Sequence, residues 1–141
     1  LVFPGADLEP KVFVARVRAN AGDIPRIRFR LRSALVAPEH TVGRFHVFLI
    51  PDEGFGAILK LHDALHAGPI EAAIRPETPY LPHITVATTT THDEARKIAQ
   101  ALNQGGIDIH GHIDALQVEH RTGEVIREIA EIPLAKTGWF G

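Results

Sequence analysis

The sequence predicts an α+β fold of two pseudo-symmetric lobes, each a small antiparallel sheet with helices on its outer face, with a central groove between them. Three observations predict it. The hydrophobic periodicity alternates between helical spacing and strand spacing in the order helix-strand-strand, helix, strand-helix-strand-strand. The second half of the chain repeats the order of the first. The composition is that of an ordinary globular protein, 141 residues with 45% hydrophobic and 23% charged, a length that favours one domain.

Taken in order, Asp7 is the expected N-cap of a first helix that has Pro10 in its first turn and runs to about Asn20. Leu8, Val12 and Ala15 fall roughly at helical spacing, and Ala21-Gly22-Asp23 ends the run. Residues 26–37, "RIRFRLRSALVA", alternate and read as a strand. Pro38-Glu39-His40 turns the chain into a second strand over 44–50, "RFHVFLI", which Pro51-Asp52-Glu53-Gly54 should end. Residues 55–67 read as a helix with Phe55, Ile58, Leu61 and Leu65 inward. After a loop containing Pro76 and Pro79, a strand is expected over 81–87. Thr91 and Glu94 have capping-box spacing. They precede a helix over 92–103 whose Ala95, Ile98, Ala99 and Leu102 form one stripe. Residues 107–119 and 124–132 read as two further strands.

Aligning the segment from Val86 with the start of the chain places Val86 under Leu1. The helix ends at Asn103 and Asn20 then correspond, and Gly123 and Gly43 each open a last strand that closes at Pro133 or Pro51. The second copy has a strand carrying His83 and Thr85 just before Val86. The repeat therefore predicts an equivalent strand before Leu1. The absence of methionine and the apolar opening Leu1-Val2-Phe3-Pro4 lead to the same expectation. Residues 1–141 are thus expected to be a single bilobal domain, incomplete at its N-terminus.

Composition narrows the function. The chain has no cysteine, which excludes disulfides and thiolate metal sites and fits a reducing compartment such as the cytoplasm. No apolar run reaches membrane-spanning length. The net charge of −2 argues against broad binding to duplex nucleic acid, which needs a strong positive field.

The stretch "TPYLPHITVATTTT" carries the chemistry. On a strand, residues i and i+2 share a face, so His83 and Thr85 should point together while Ile84 and Val86 point into the core. An imidazole can serve as general acid or base near neutral pH. A neighbouring hydroxyl can hold a phosphoryl oxygen. His83-Ile84-Thr85 is read as the one intact triplet of this kind. Together with "LVFPG" at 1–5, "HVFLIP" at 46–51, "LHDALHAG" at 61–68 and "PYLPHITVA" at 79–87, it resembles the two-histidine phosphoesterase superfamily of 2'-5' RNA ligases and cyclic phosphodiesterases. That family's signature is two H-x-[ST] triplets. "PHITVA" looks like the second, and "LVFP" looks like the tail of the first, which would lie before Leu1.

The resemblance implies acid–base chemistry by His83 and phosphate contact by Thr85. The implied substrate is an RNA end or a small cyclic nucleotide: either a 2',3'-cyclic phosphate is hydrolysed to a 2'-phosphate or a 2'-5' linkage is formed. No cofactor, metal or membrane partner is implied. A noncatalytic RNA- or nucleotide-binding module of the same fold is the alternative. Tyr80 stacks on a base or packs as a loop aromatic. His46, in "HVF", reads as structural or surface. Arg26, Arg28, Arg30 and Arg32 line a phosphate groove or form a solvated face. His110 with His112, and His62 with His66, have chelating spacing, but neither pair has a third ligand fixed by local sequence.

Overall fold

Three helices and seven strands succeed one another: α1 (Pro10–Ala21), β1 (Pro25–Pro38), β2 (Phe45–Glu53), α2 (Phe55–Leu65), β3 (Ile84–Thr89), α3 (His92–Gln104), β4 (Ile109–Ile113), β5 (Ala115–Thr122), β6 (Val125–Pro133) and β7 (Ala135–Phe140). The structure is a computed structural model and describes residues 8–38, 43–68 and 79–140. Asp7, the "LVFPG" stretch, the turn at Glu39-His40 and the loop at Pro76 lie outside the described residues. The fold is α+β, with a mostly antiparallel five-stranded sheet in the order β3-β2-β1-β4, β7 joined to β1, and a separate two-stranded sheet of β5 and β6. β7 pairs in parallel with the start of β1. The chain divides into two compact units, one of Leu1–Arg28, Gly56–Pro79 and His112–Gly141, the other of Phe29–Phe55 and Tyr80–Gly111.

In the first unit, α1 buries Phe13, Val17 and Ala21. These sit at i, i+4 and i+8, one turn apart on a single face. The expected face through Leu8, Val12 and Ala15 is therefore corrected: Val12 is 45% exposed, because the bulk of Phe13 sets which side turns inward. Glu9 occupies the N-cap position without a side-chain cap, and Pro10 enters the first turn, where its missing N–H costs nothing. α2 buries Ile58, Leu61 and Leu65 as expected. Asn20 Nδ2 donates to the carbonyls of Leu65 (3.4 Å) and Ala67 (3.3 Å), satisfying the end of α2. The long strand expected over 107–119 is broken at Asp114. Its carbonyl accepts from the Leu134 N–H at 2.8 Å, and its carboxylate lies 3.3 Å from Arg26. β5 and β6 form a hairpin whose last pair is Thr122 and Val125. Gly123 takes φ +61° at the first turn position, the conformation a tight hairpin requires there.

In the second unit, α3 lies on one face of the sheet. Leu31 and Ala34 of β1, Val47 and Leu49 of β2, and Ala95 and Ala99 of α3 form its buried core, with Ile98 and Leu102 packed against them. Thr91 caps α3, its Oγ1 accepting from the Glu94 N–H at 3.3 Å, and Asp93 and Glu94 complement the positive end of the helix. Pro51 does not end β2, which continues to Glu53. The β1–β2 register shifts on both sides of Leu31, whose partner is Pro51, so the residue that cannot donate sits in an irregularity of the ladder.

Asn103 is the clamp between helix and sheet. Its Oδ1 accepts from the Ala34 N–H at 2.7 Å and its Nδ2 donates to the Ala34 carbonyl at 2.9 Å. Asn20 and Asn103 align in the repeat, yet Asn20 holds a helix end and Asn103 holds a strand. Asn103→Ala strands both polar groups of Ala34 and should cost about 1–3 kcal/mol, read as a fall in the urea midpoint with unchanged slope.

Candidate active site

The face of the second unit's sheet opposite α3 is set by register. Residues paired across antiparallel strands share a face. Val47 and Leu49 are buried towards α3, so His46 and Phe48 project from the other side. His46 pairs with Thr88 and Phe48 with Thr85, while Val47 pairs with Ala87. Two residues on β2 therefore face three on β3, and Val86 is the extra one. This bulge moves Ala87 into the core-facing position and brings Thr85 and Thr88, three residues apart, onto the same open face. The expectation that Val86 points into the core is corrected: it is the extra residue of the bulge and 45% exposed, while Ile84, opposite the core-facing Leu49, shares that face but is 48% exposed. A simple alternation cannot show a bulge.

His83 precedes the first residue of β3, so it lies outside the strand expected to carry it. Its Nδ1 lies 2.6 Å from the Leu81 carbonyl. A carbonyl only accepts, so Nδ1 carries the proton and Nε2 is the ring atom left for other chemistry. The imidazole stacks face to face on Phe48, with centroids 3.7 Å apart and planes 16° apart. Phe48 in turn stacks on His46 at 5.7 Å and 12°. His46 Nδ1 lies 2.9 Å from Thr88 Oγ1. Three near-parallel rings thus rise from one open face, beside the exposed Thr85.

Tyr80 is half-buried at the approach to His83. Burial raises its phenol above the usual value, so the hydroxyl stays neutral and can donate. The arginine row is met by carboxylates. Arg30 forms a fork with Asp108 at 2.5 and 2.6 Å, and Arg32 pairs with Asp52, with Nε to Oδ2 at 2.6 Å. Those hydrogen bonds hold Asp108 and Asp52 below the ordinary carboxylate range and raise Arg30 further. Arg26 faces Asp114. Paired in this way, Arg30 and Arg32 form a solvated ionic face, whereas Arg26 Nε is buried and makes no hydrogen bond among the described residues.

His62 and His66 lie with ring centroids 4.3 Å apart, and the buried His66 Nδ1 is 2.8 Å from the His62 carbonyl. His110 contacts Asp108 at 3.2 Å. Among the described residues, no group of three or more His, Asp or Glu is placed to hold a metal ion.

The count of a single His-x-Thr triplet is also corrected. His120-Arg121-Thr122 is a second, on β5 of the first unit. His120 lies opposite Arg127 and Thr122 opposite Val125; all four line a shallow depression of about 260 Å³. It lies inside the repeated segment, directly before Gly123. The contrast with His83 is physical. No hydrogen bond to the His120 ring is present among the described residues, whereas His83 is held both at Nδ1 and across its face.

Comparison with curated proteins returns no match. The model of the 2'-5' RNA ligase superfamily matches residues 1–124. With an exposed histidine and threonine raised on one sheet face and most of its length matched, the chain belongs to the 2'-5' RNA ligase superfamily.

Proposed function

We propose that the protein carries out metal-independent phosphodiester chemistry on RNA ends or cyclic nucleotides in the cytoplasm, with hydrolysis of a 2',3'-cyclic phosphate to a 2'-phosphate preferred to the alternative, reversible 2'-5' ligation. The observation that carries the reading is His83, fixed through Nδ1 so that Nε2 is the available atom, next to Thr85 on the open face. Family membership supports it. Hydrolysis needs one group to take a proton from the attacking water and another to protonate the departing 3'-oxygen. His83 Nε2 performs one of these transfers. The Thr85 hydroxyl donates to a non-bridging phosphoryl oxygen. Tyr80 offers a ring face to a base. The second transfer requires a second acid–base group facing the same phosphate. The two-lobed, grooved architecture implied by the resemblance is part of this proposal.

The test is turnover of a nucleoside 2',3'-cyclic phosphate by the intact protein in excess chelator. Release of the 2'-phosphate at an undiminished rate is expected, and Thr85→Val should lower kcat/KM by about tenfold, the equivalent of one charge-assisted hydrogen bond. Loss of turnover with chelator overturns the metal-free mechanism. Undiminished kcat/KM in Thr85→Val overturns the phosphate contact. One observation favours a second reading, a noncatalytic nucleotide-binding module: of the chain's two triplets, only that at His83 is held in place. Nucleotide binding that perturbs the His83 ring signals without any turnover would establish it.

A further inference from the structure

We infer that Phe48 is a positioning residue for His83: its ring face fixes the plane in which the imidazole presents Nε2. The inference rests on the proposed role of His83. A single hydrogen bond from Nδ1 to the Leu81 carbonyl fixes one ring atom and leaves the ring free to swing about it. His83 also lies ahead of β3, where ladder pairing does not hold its backbone. A flat face in contact supplies the missing constraint. Phe48 provides one at 3.7 Å, the tightest ring contact in the site.

Phe48 is itself well anchored. It lies on β2, the strand between β1 and β3 in the sheet, paired with Leu35 on one side and Thr85 on the other. Its second face rests against His46, which Thr88 holds through Nδ1. The column therefore runs from a hydroxyl on β3, through two rings of β2, to the imidazole. Nothing in the core accounts for this phenylalanine. The core lies on the other face of the strand, through Val47 and Leu49, while Phe48 remains partly exposed. A large aromatic on an open sheet face is explained by what it touches, and it touches His83. His46-Val47-Phe48, which as a bare sequence looks like a degenerate triplet with phenylalanine in the hydroxyl position, is then the platform of the site.

The test compares Phe48→Leu and Phe48→Met, which remove the flat face but keep apolar bulk, with Phe48→Tyr, which keeps it. Two readouts are taken on the intact protein. The His83 ring-proton shifts report the stack without any need for activity. Turnover of a nucleoside 2',3'-cyclic phosphate reports positioning. Phe48→Leu and Phe48→Met should lose the upfield ring-current shift of His83 and lower kcat by about 10–100-fold with KM unchanged, the scale of a misplacement of about 1 Å. Phe48→Tyr should retain both. Unchanged His83 shifts and unchanged kcat in Phe48→Leu, with His83→Ala still inactive, overturn this inference alone. A His83→Ala variant with full activity overturns it together with the functional reading on which it rests. A rise in KM at constant kcat shows that Phe48 binds substrate, and overturns positioning.

Discussion

His83→Ala is expected to lower kcat on a nucleoside 2',3'-cyclic phosphate by about 10²–10⁴-fold, the range for removal of a positioned general acid or base. The fold should survive. His83 is exposed, lies ahead of β3 and gives up one local bond to the Leu81 carbonyl, so the stability change should stay within about 1 kcal/mol. A collapse of activity without a collapse of the melting transition is therefore the signature. His120→Ala is the matched comparison. It removes the histidine of the other His-x-Thr triplet, at a position where the ring has no hydrogen bond among the described residues. Side chains that do chemistry are held by their surroundings, so His120→Ala should leave kcat unchanged. Steady-state kinetics on the two variants, with circular dichroism on each, decide the matter. Full activity in His83→Ala removes His83 from the chemistry, and an equal loss in both variants brings the second triplet into it.

What could be read from the sequence follows from which interactions are local. The stripe Ala95, Ile98, Ala99 and Leu102 and the Thr91 cap are set within one helix, and both match the structure. The approximate spacing of Leu8, Val12 and Ala15 does not settle the face of α1, because one phenylalanine outweighs three smaller side chains and Phe13 takes the interior. The break at Asp114 depends on Leu134 and Arg26, partners distant in sequence. β7 is not legible in the sequence for a related reason: its parallel pairing with β1 is non-local and leaves no alternating signal in a six-residue run. The site shows the same division. The His83-Ile84-Thr85 triplet is visible in the sequence because it is contiguous. Its surroundings are not, because the ring column joins β2 to the residue before β3, and the bulge at Val86 that brings Thr88 onto the same face exists only in the pairing register. His46 reads as structural or surface from its own segment, and its hydroxyl partner, Thr88, lies on another strand.

Gly111→Ala should be the most damaging single-methyl change among the described glycines. A Cβ built at Gly111 would lie 2.3 Å from Phe29 Cζ, and 2.8 and 2.9 Å from the flanking ring carbons. The ring cannot simply retreat, since Phe29 is packed against the core of Leu31, Ala34, Val47 and Leu49. Relief therefore requires an off-rotamer Phe29 or a displaced β4. Overpacking of this kind costs about 1–3 kcal/mol, which in a chain of this size is a fall of about 3–10 °C in Tm. The glycine between His110 and His112 is thus explained by the phenyl ring opposite it, without any appeal to a chelating loop. Gly56→Ala is the control. Gly56 lies in α2 with nothing within 4 Å of its Cβ position, so alanine there should be neutral or stabilising by up to about 1 kcal/mol. A double-mutant cycle with Phe29→Leu isolates the contact. If the clash is the cause, Gly111→Ala costs less in the Phe29→Leu background than alone, by about 0.5–3 kcal/mol of coupling. Additive effects would instead place the cost in the backbone of β4 and remove Phe29 from the account.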